Sequence, residues 1–274
     1  MNNQVIVKNT DSHYYFFIRG LIRSQFHWHQ FPAHFDHITQ QQSLNSTSVF
    51  FDIPGNGHRH QEATPFSIAD MADDINKQIH HYLTIHNIDS SANAHSQIHL
   101  VGISMGGMIA ADLISKSNVD FASVHIINSS FANLSPFWQR MKLPGVINLM
   151  ANIWQTGTRE RAILKWTSNT PSSLDLAPQW IKEAEEHPLS LRNAFAQLWA
   201  ASHYFVDSQA HGNTIVYCSK EDRLVSWTCS EKLARYWQVP LECHLEAGHD
   251  LPLDNPQWLA EKIIQHSQHN GSHT

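Results

Sequence analysis

Leu100-Val101-Gly102-Ile103-Ser104-Met105-Gly106-Gly107-Met108-Ile109-Ala110 decides how this chain is read. An apolar run ends in Gly-x-Ser-x-Gly and continues as small and apolar residues of helical character. A serine held on a sharp strand-to-helix turn needs this composition, because glycines two before and two after it let neighbouring backbone approach. The five-residue pattern is weak by itself, and the strand before and helix after give it its context. The helix start would also aim backbone N-H groups and a positive dipole end at charge developing on a substrate oxygen. The bland alternative is a glycine-rich turn with an incidental serine.

A serine hydroxyl is a poor nucleophile unless a base takes its proton. His249 is the candidate, in Glu246-Ala247-Gly248-His249-Asp250, after the last strand candidate and before a helix opened by Asn255-Pro256. Proline suits the first turn of a helix, which leaves His249 on the loop at the strand's end. A carboxylate to orient the histidine is expected between serine and histidine, and Asp222 in Ser219-Lys220-Glu221-Asp222-Arg223-Leu224-Val225 supplies it. Glu221 is the adjacent alternative, and the apolar Leu224-Val225 that follows favours Asp222. The end of the preceding strand carries Asn128, Ser129 and Ser130 and offers no carboxylate. The order Ser, Asp, His is that of triads built around such an elbow.

Outward from these segments, short β-rich runs alternate with stretches of helical period, the mark of a mostly parallel sheet with helices on both faces. Strands are expected at 14–18, 48–52, 97–103, 123–128, 214–219 and 241–245. A helix is expected over 67–86, with Ile68, Met71, Ile75, Ile79, Tyr82 and Leu83 on one stripe and Ser67 and Asp70 forming a capping-box-like start. The alternation fails over 131–210, which is rich in Trp, Leu, Ala and Pro and too long for a structureless loop. It is read as a helical cap inserted into a core made of 1–130 and 211–268. The alternative is that its helices only thicken that core. Residues 269–274 are read as a flexible tail.

The 274 residues, 42% of them hydrophobic, suffice for one large domain with an insertion. A formal net charge of -6 leaves no basic surface for phosphates, so nucleic acid is not expected as a partner. The first twelve residues lack the apolar core of a signal peptide, and no segment reaches about 18 uninterrupted apolar residues. A soluble, cytoplasmic protein without a membrane partner is therefore expected. Cys218, Cys229 and Cys243 are odd in number and far apart in sequence, which suggests neither a disulfide framework nor a metal site. The 21 histidines include the pairs His27/His29, His58/His60 and His80/His81. These lack a third ligand at a recognisable spacing and are read as solvated surface residues, with no metal or other cofactor implied.

From about residue 14 to 264 the chain resembles the α/β-hydrolase superfamily, specifically its cap-bearing serine esterase and lipase-like branch. Two further stretches carry the likeness: Asp52-Ile53-Pro54-Gly55-Asn56-Gly57 is similar to the family's D-x-P-G-x-G turn, and Ile18-Arg19-Gly20-Leu21 to its H-G-x oxyanion loop. The resemblance implies an α/β-hydrolase fold and an oxyanion hole made by the backbone N-H groups of Leu21 and Met105. It departs at Arg19, which stands where the family has histidine; arginine would either brace the loop through backbone carbonyls, the favoured role, or offer a cation to the substrate. Trp28 matches a tryptophan that relatives carry in the following helix, where it packs. The implied activity is acyl transfer from a small hydrophobic ester to water, as in a carboxylesterase. Thioesters, lactones and carbon-carbon bonds are alternative substrates, and a catalytically silent ligand-binding relative is the rival from another class. The oligomeric state stays open.

Overall fold

A computed structural model describes residues 11–91, 95–152, 154–207 and 209–268; the expected tail at 269–274 and most of the N-terminal twelve residues lie outside them. Six strands, β1 (Ser12–Ile18), β2 (Ser46–Phe51), β3 (Ser96–Ile103), β4 (Phe121–Ile127), β5 (Thr214–Ser219) and β6 (Leu241–His244), form one sheet in the order β2-β1-β3-β4-β5-β6. Every neighbouring pair is parallel. All six expected strands are present, and the bounds move by a few residues. Strand β4 stops one residue early because Asn128 turns the chain with φ 46°.

Alternation at period two sorts the strand side chains onto two buried faces. Tyr15, Phe17, Val101, Ile103, Ile215 and Tyr217 face one way, under α1 (Phe31–Gln41) and the final helix. Phe16, Ile18, Leu100, Val124, Ile126 and Val216 face the other, under α2 (Ile68–Ile85) and α3 (Met105–Lys116). The expected stripe on α2 is met, and Ser67 accepts a hydrogen bond from the Asp70 N-H at 3.1 Å. Between β4 and β5 lie α4 (Phe137–Arg140), α5 (Leu143–Asn152), α6 (Thr156–Thr167), α7 (Ala177–Glu186) and α8 (Leu191–His203). Ile163, Leu164, Ala177 and Trp180 form a small core of their own there, while Ala200 and Val206 join the main one. Helices α9 (Thr228–Trp237), α10 (Leu251–Asp254) and α11 (Pro256–Gln268) complete the chain. Among the described residues no helix is long and apolar enough to cross a membrane.

One expectation about side chains needs correction. His27 is buried rather than solvated, and His13, His99 and His125 lie inside the molecule. The last three belong to one hydrogen-bonded file: His13 to His99 at 3.0 Å, His99 to Ser123 and Ser123 to His125 at 2.7 Å each, and His125 to Tyr217 at 2.8 Å. Strand alternation puts them all on the face under α1 and α11, where burial pushes the pKa of His13 and His99 down and that of His125 to about 3. The cysteines are free, and Cys218 and Cys243, distant in sequence, meet across the sheet. Parallel pairing of β5 with β6 sets them opposite each other, with sulfurs 3.0 Å apart.

Candidate active site

Ser104 sits at the junction of β3 and α3 with φ 57° and ψ -118°, a left-handed backbone conformation that non-glycine residues rarely adopt. The turn is tight enough to explain both flanking glycines. A Cβ on Gly102 would overlap the Gly106 carbonyl, and one on Gly106 would overlap the carbonyl of Ile18 in β1. The Ser104 N-H donates to the Ile127 carbonyl at 2.8 Å, and the Ser129 hydroxyl donates to the Ser104 carbonyl at 2.8 Å. The elbow is thus fixed from β4 and the segment just after it.

Asp222 and His249 come together from the ends of β5 and β6, 2.6 Å apart between Oδ2 and Nδ1 and both buried. A carboxylate only accepts, so the Nδ1-H donates and leaves Nε2 as the ring's free nitrogen. The other Asp222 oxygen accepts from the N-H groups of Leu224 at 2.8 Å and Val225 at 2.9 Å. Glu221, the adjacent alternative, is exposed. Burial alone would lower the His249 pKa, but the charge of Asp222 and its hydrogen bond, with Asp250 adding to them, hold it above the ordinary histidine value.

The histidine loop is held by residues that motif reading passed over. Asn128, dismissed at the sequence level for lacking a carboxylate, donates to the His249 carbonyl at 2.8 Å and to the Ser219 hydroxyl at 3.0 Å, and accepts from the Ser219 N-H at 2.8 Å. Asp254 accepts from the N-H groups of Gly248 at 2.6 Å and Asn169 at 2.9 Å. The second bond ties the loop to the chain just beyond α6. An asparagine at the end of a strand was the one sequence signal available, since asparagine tolerates the positive φ that the chain adopts there.

Arg19 braces the loop after β1, but through a carboxylate rather than the backbone carbonyls expected. Its Nη1 and Nη2 donate to the two Asp250 oxygens at 2.9 and 2.7 Å, and its guanidinium lies 5.1 Å from the ring centre of Trp28. Trp28 is buried in the short 3-10 turn Gln25–Trp28, ahead of α1 rather than within it. A bidentate pair of this kind, buried on both sides, stabilises little net of desolvation, yet breaking it strands a charge. Arg19→Met is therefore expected to cost about 3–5 kcal/mol in urea unfolding. Adding Asp250→Asn should recover much of that loss, and a double variant no more stable than the single one would contradict this account.

Leu21 and Met105 flank Ser104: a Cβ on Gly20 would come within 2.9 Å of the Ser104 Cβ, and Met105 opens α3. Among the described residues neither Leu21 nor Met105 has a hydrogen-bond partner for its N-H. The next residue, Ile22, has φ 52°, a strained value for a β-branched side chain, and its N-H donates to Gln197 of α8 at 2.7 Å. Arg19, Leu21, Ser104, Met105 and His249 all border one cavity of about 140 Å³. Its walls are mostly apolar, with Phe137, Met141, Ile163 and Leu198 coming from the stretch between β4 and β5 and Leu224 and Val225 from the Asp222 loop. None of the tryptophans at 138, 154, 166, 180 and 199 is among the walls; Trp138 and Trp154 are exposed and Trp180 packs under Arg23. Among the described residues no group of three or more His, Cys, Asp or Glu could hold a metal ion.

A serine strained on a strand-helix elbow, at the C-terminal edge of a parallel sheet and beside a buried histidine-carboxylate pair, defines an α/β protein of the hydrolase type. The chain belongs to the α/β hydrolase family, whose model matches residues 16–262. No curated protein matches the sequence. Among solved structures, an esterase from Exiguobacterium antarcticum superposes with a TM-score of 0.71 at 14% identity, over 94% of this chain and 92% of that one. A hydrolase from Pseudomonas aeruginosa PA01 gives a TM-score of 0.67 at 15% identity, over 94% and 90%. The type II thioesterase BorB from the borrelidin biosynthetic cluster gives 0.64 at 13%, over 94% and 93%. At these identities the likeness is one of fold.

Proposed function

We propose that the protein is a serine hydrolase that cleaves a small, largely hydrophobic ester. Ser104 attacks the carbonyl, His249 takes the hydroxyl proton on Nε2 and returns it to the leaving alcohol, and water then repeats the sequence on the acyl-enzyme. Asp222 holds the imidazole in the tautomer that can accept and stabilises the imidazolium. The N-H groups of Leu21 and Met105 receive the oxyanion, an interaction whose removal costs about 10² to 10³ in turnover per donor. The segment 131–210 serves as a cap, a reading supported by the apolar walls it gives the cavity. The observation that carries the proposal is the 2.6 Å contact between His249 and Asp222, buried beside the Ser104 elbow on one cavity. A fluorophosphonate probe tests it: labelling of Ser104, located by mass spectrometry, is expected. Folded protein that resists the probe and turns over no ester would leave a ligand-binding relative in its place. Rates over matched esters, thioesters, lactones and diketones decide which bond is cut.

Activity should rise with pH, because the base acts only when neutral. Since Asp222 and its hydrogen bond lift the His249 pKa, the midpoint of that rise in kcat/KM should lie above the ordinary value of about 6.5. A midpoint below 6 would mean that another group controls the rate.

A further inference from the structure

Three arginines border the cavity, and two of them have carboxylate partners. Arg19 is paired with Asp250, and Arg23 with Glu160 at 2.9 Å. Arg140, at the end of α4, is 7% exposed and has no carboxylate partner among the described residues. Its Nη1 and Nη2 donate to the carbonyls of Ser202 and Ala201, at 2.9 and 2.5 Å, in the last turn of α8. Those carbonyl ends offer about half an elementary charge between them, against a full positive charge on the guanidinium. A guanidinium has five N-H donors, so three are left over, and Nε is buried without a partner. Burial pulls the Arg140 pKa down, and the neighbour that acts against this is the Cys229 thiol on α9, which burial itself keeps protonated. Arginine nonetheless stays charged.

An uncompensated buried cation is costly, and it persists where something else completes it. Here Arg140 borders the same cavity as Ser104, along with the apolar Phe137 and Met141. We infer that Arg140 is a specificity-determining residue that binds an anionic group, of carboxylate type, on the far part of the substrate. The apolar walls take the chain between that group and the scissile bond. This rests on the serine-hydrolase reading of the same cavity and narrows its substrate class to esters with an acidic end. The planar fork of arginine suits a carboxylate bidentately, which a lysine could not reproduce.

Two matched pairs of esters test this and locate the anion. p-Nitrophenyl hexanoate against p-nitrophenyl hemiglutarate places a charge in the acyl half; 4-methylphenyl acetate against 4-carboxyphenyl acetate places it in the alcohol half. In one pair the anionic member is expected to have at least a tenfold higher kcat/KM, carried mainly by KM. Arg140→Gln should bring that preference to within about twofold, with Arg140→Lys intermediate. Indifference to the anion in both pairs overturns the inference, as does an Arg140→Gln protein that keeps the preference. The comparison on the unaltered protein stands even where the variant fails to fold, as judged by circular dichroism. Should no ester be turned over, the hydrolase reading fails by itself, and calorimetric binding of the same four compounds still decides the anion question: tighter binding of an anionic member upholds the site, and equal binding removes it.

Discussion

Ser104→Ala is expected to lower kcat for a short p-nitrophenyl ester by about 10⁶-fold and to leave the fold unchanged. The replacement removes one hydroxyl and keeps the Cβ, so the strained backbone at φ 57° is neither relieved nor worsened. The bonds that fix the elbow come from the Ser104 backbone, to Ile127 and from Ser129, and survive the change. His249→Ala should lose a similar factor, and the double variant no more than either alone, because nucleophile and base act as one unit. Steady-state rates with purified proteins of equal thermal stability are the check. A Ser104→Ala protein retaining more than about one part in a hundred of the activity would sink the assignment, since residual catalysis from binding and oxyanion donors is far smaller than that.

Asp222→Asn should cost about 10⁴ in kcat, for a reason that the local bonds make specific. The Asp222 oxygen facing Leu224 and Val225 accepts two backbone N-H bonds, so the amide oxygen of asparagine must take that position. The amide nitrogen then faces His249 Nδ1 and donates to it, which puts the ring proton on Nε2, where it cannot accept from serine. The variant also removes the main influence that raises the His249 pKa, so whatever rate remains should reach its plateau at lower pH than in the unaltered protein. Glu221→Gln, one residue away and exposed, is expected to stay within about twofold. Equal losses from the two substitutions would show that the carboxylate has been misassigned.

The segment around Ser104 was legible because its constraints are local. Glycines at 102 and 106 are demanded by backbone a few residues away in sequence or on the adjoining strand β1, and the strand and helix around them declare themselves by period. Asp222 could be chosen over Glu221 for the same kind of reason: the N-H groups it needs belong to residues two and three positions on. The histidines gave no such signal. His13, His99 and His125 look like surface residues one at a time, and only strand order makes them a single buried file.

Sequence by itself determined the parallel α/β architecture, the elbow at Ser104, the chain order of the expected triad and the family to which the chain belongs. Each of these follows from steric limits and side-chain periods that act between residues close in the chain. Tertiary structure alone decided that Asp250, 231 positions from Arg19, neutralises it, that Asn128 and Asp254 hold the histidine loop, and that Arg140 borders the cavity without a carboxylate partner among the described residues. The electrostatic balance of a buried group is set by whichever remote segments fold against it, and no spacing in a sequence records where those segments come to rest.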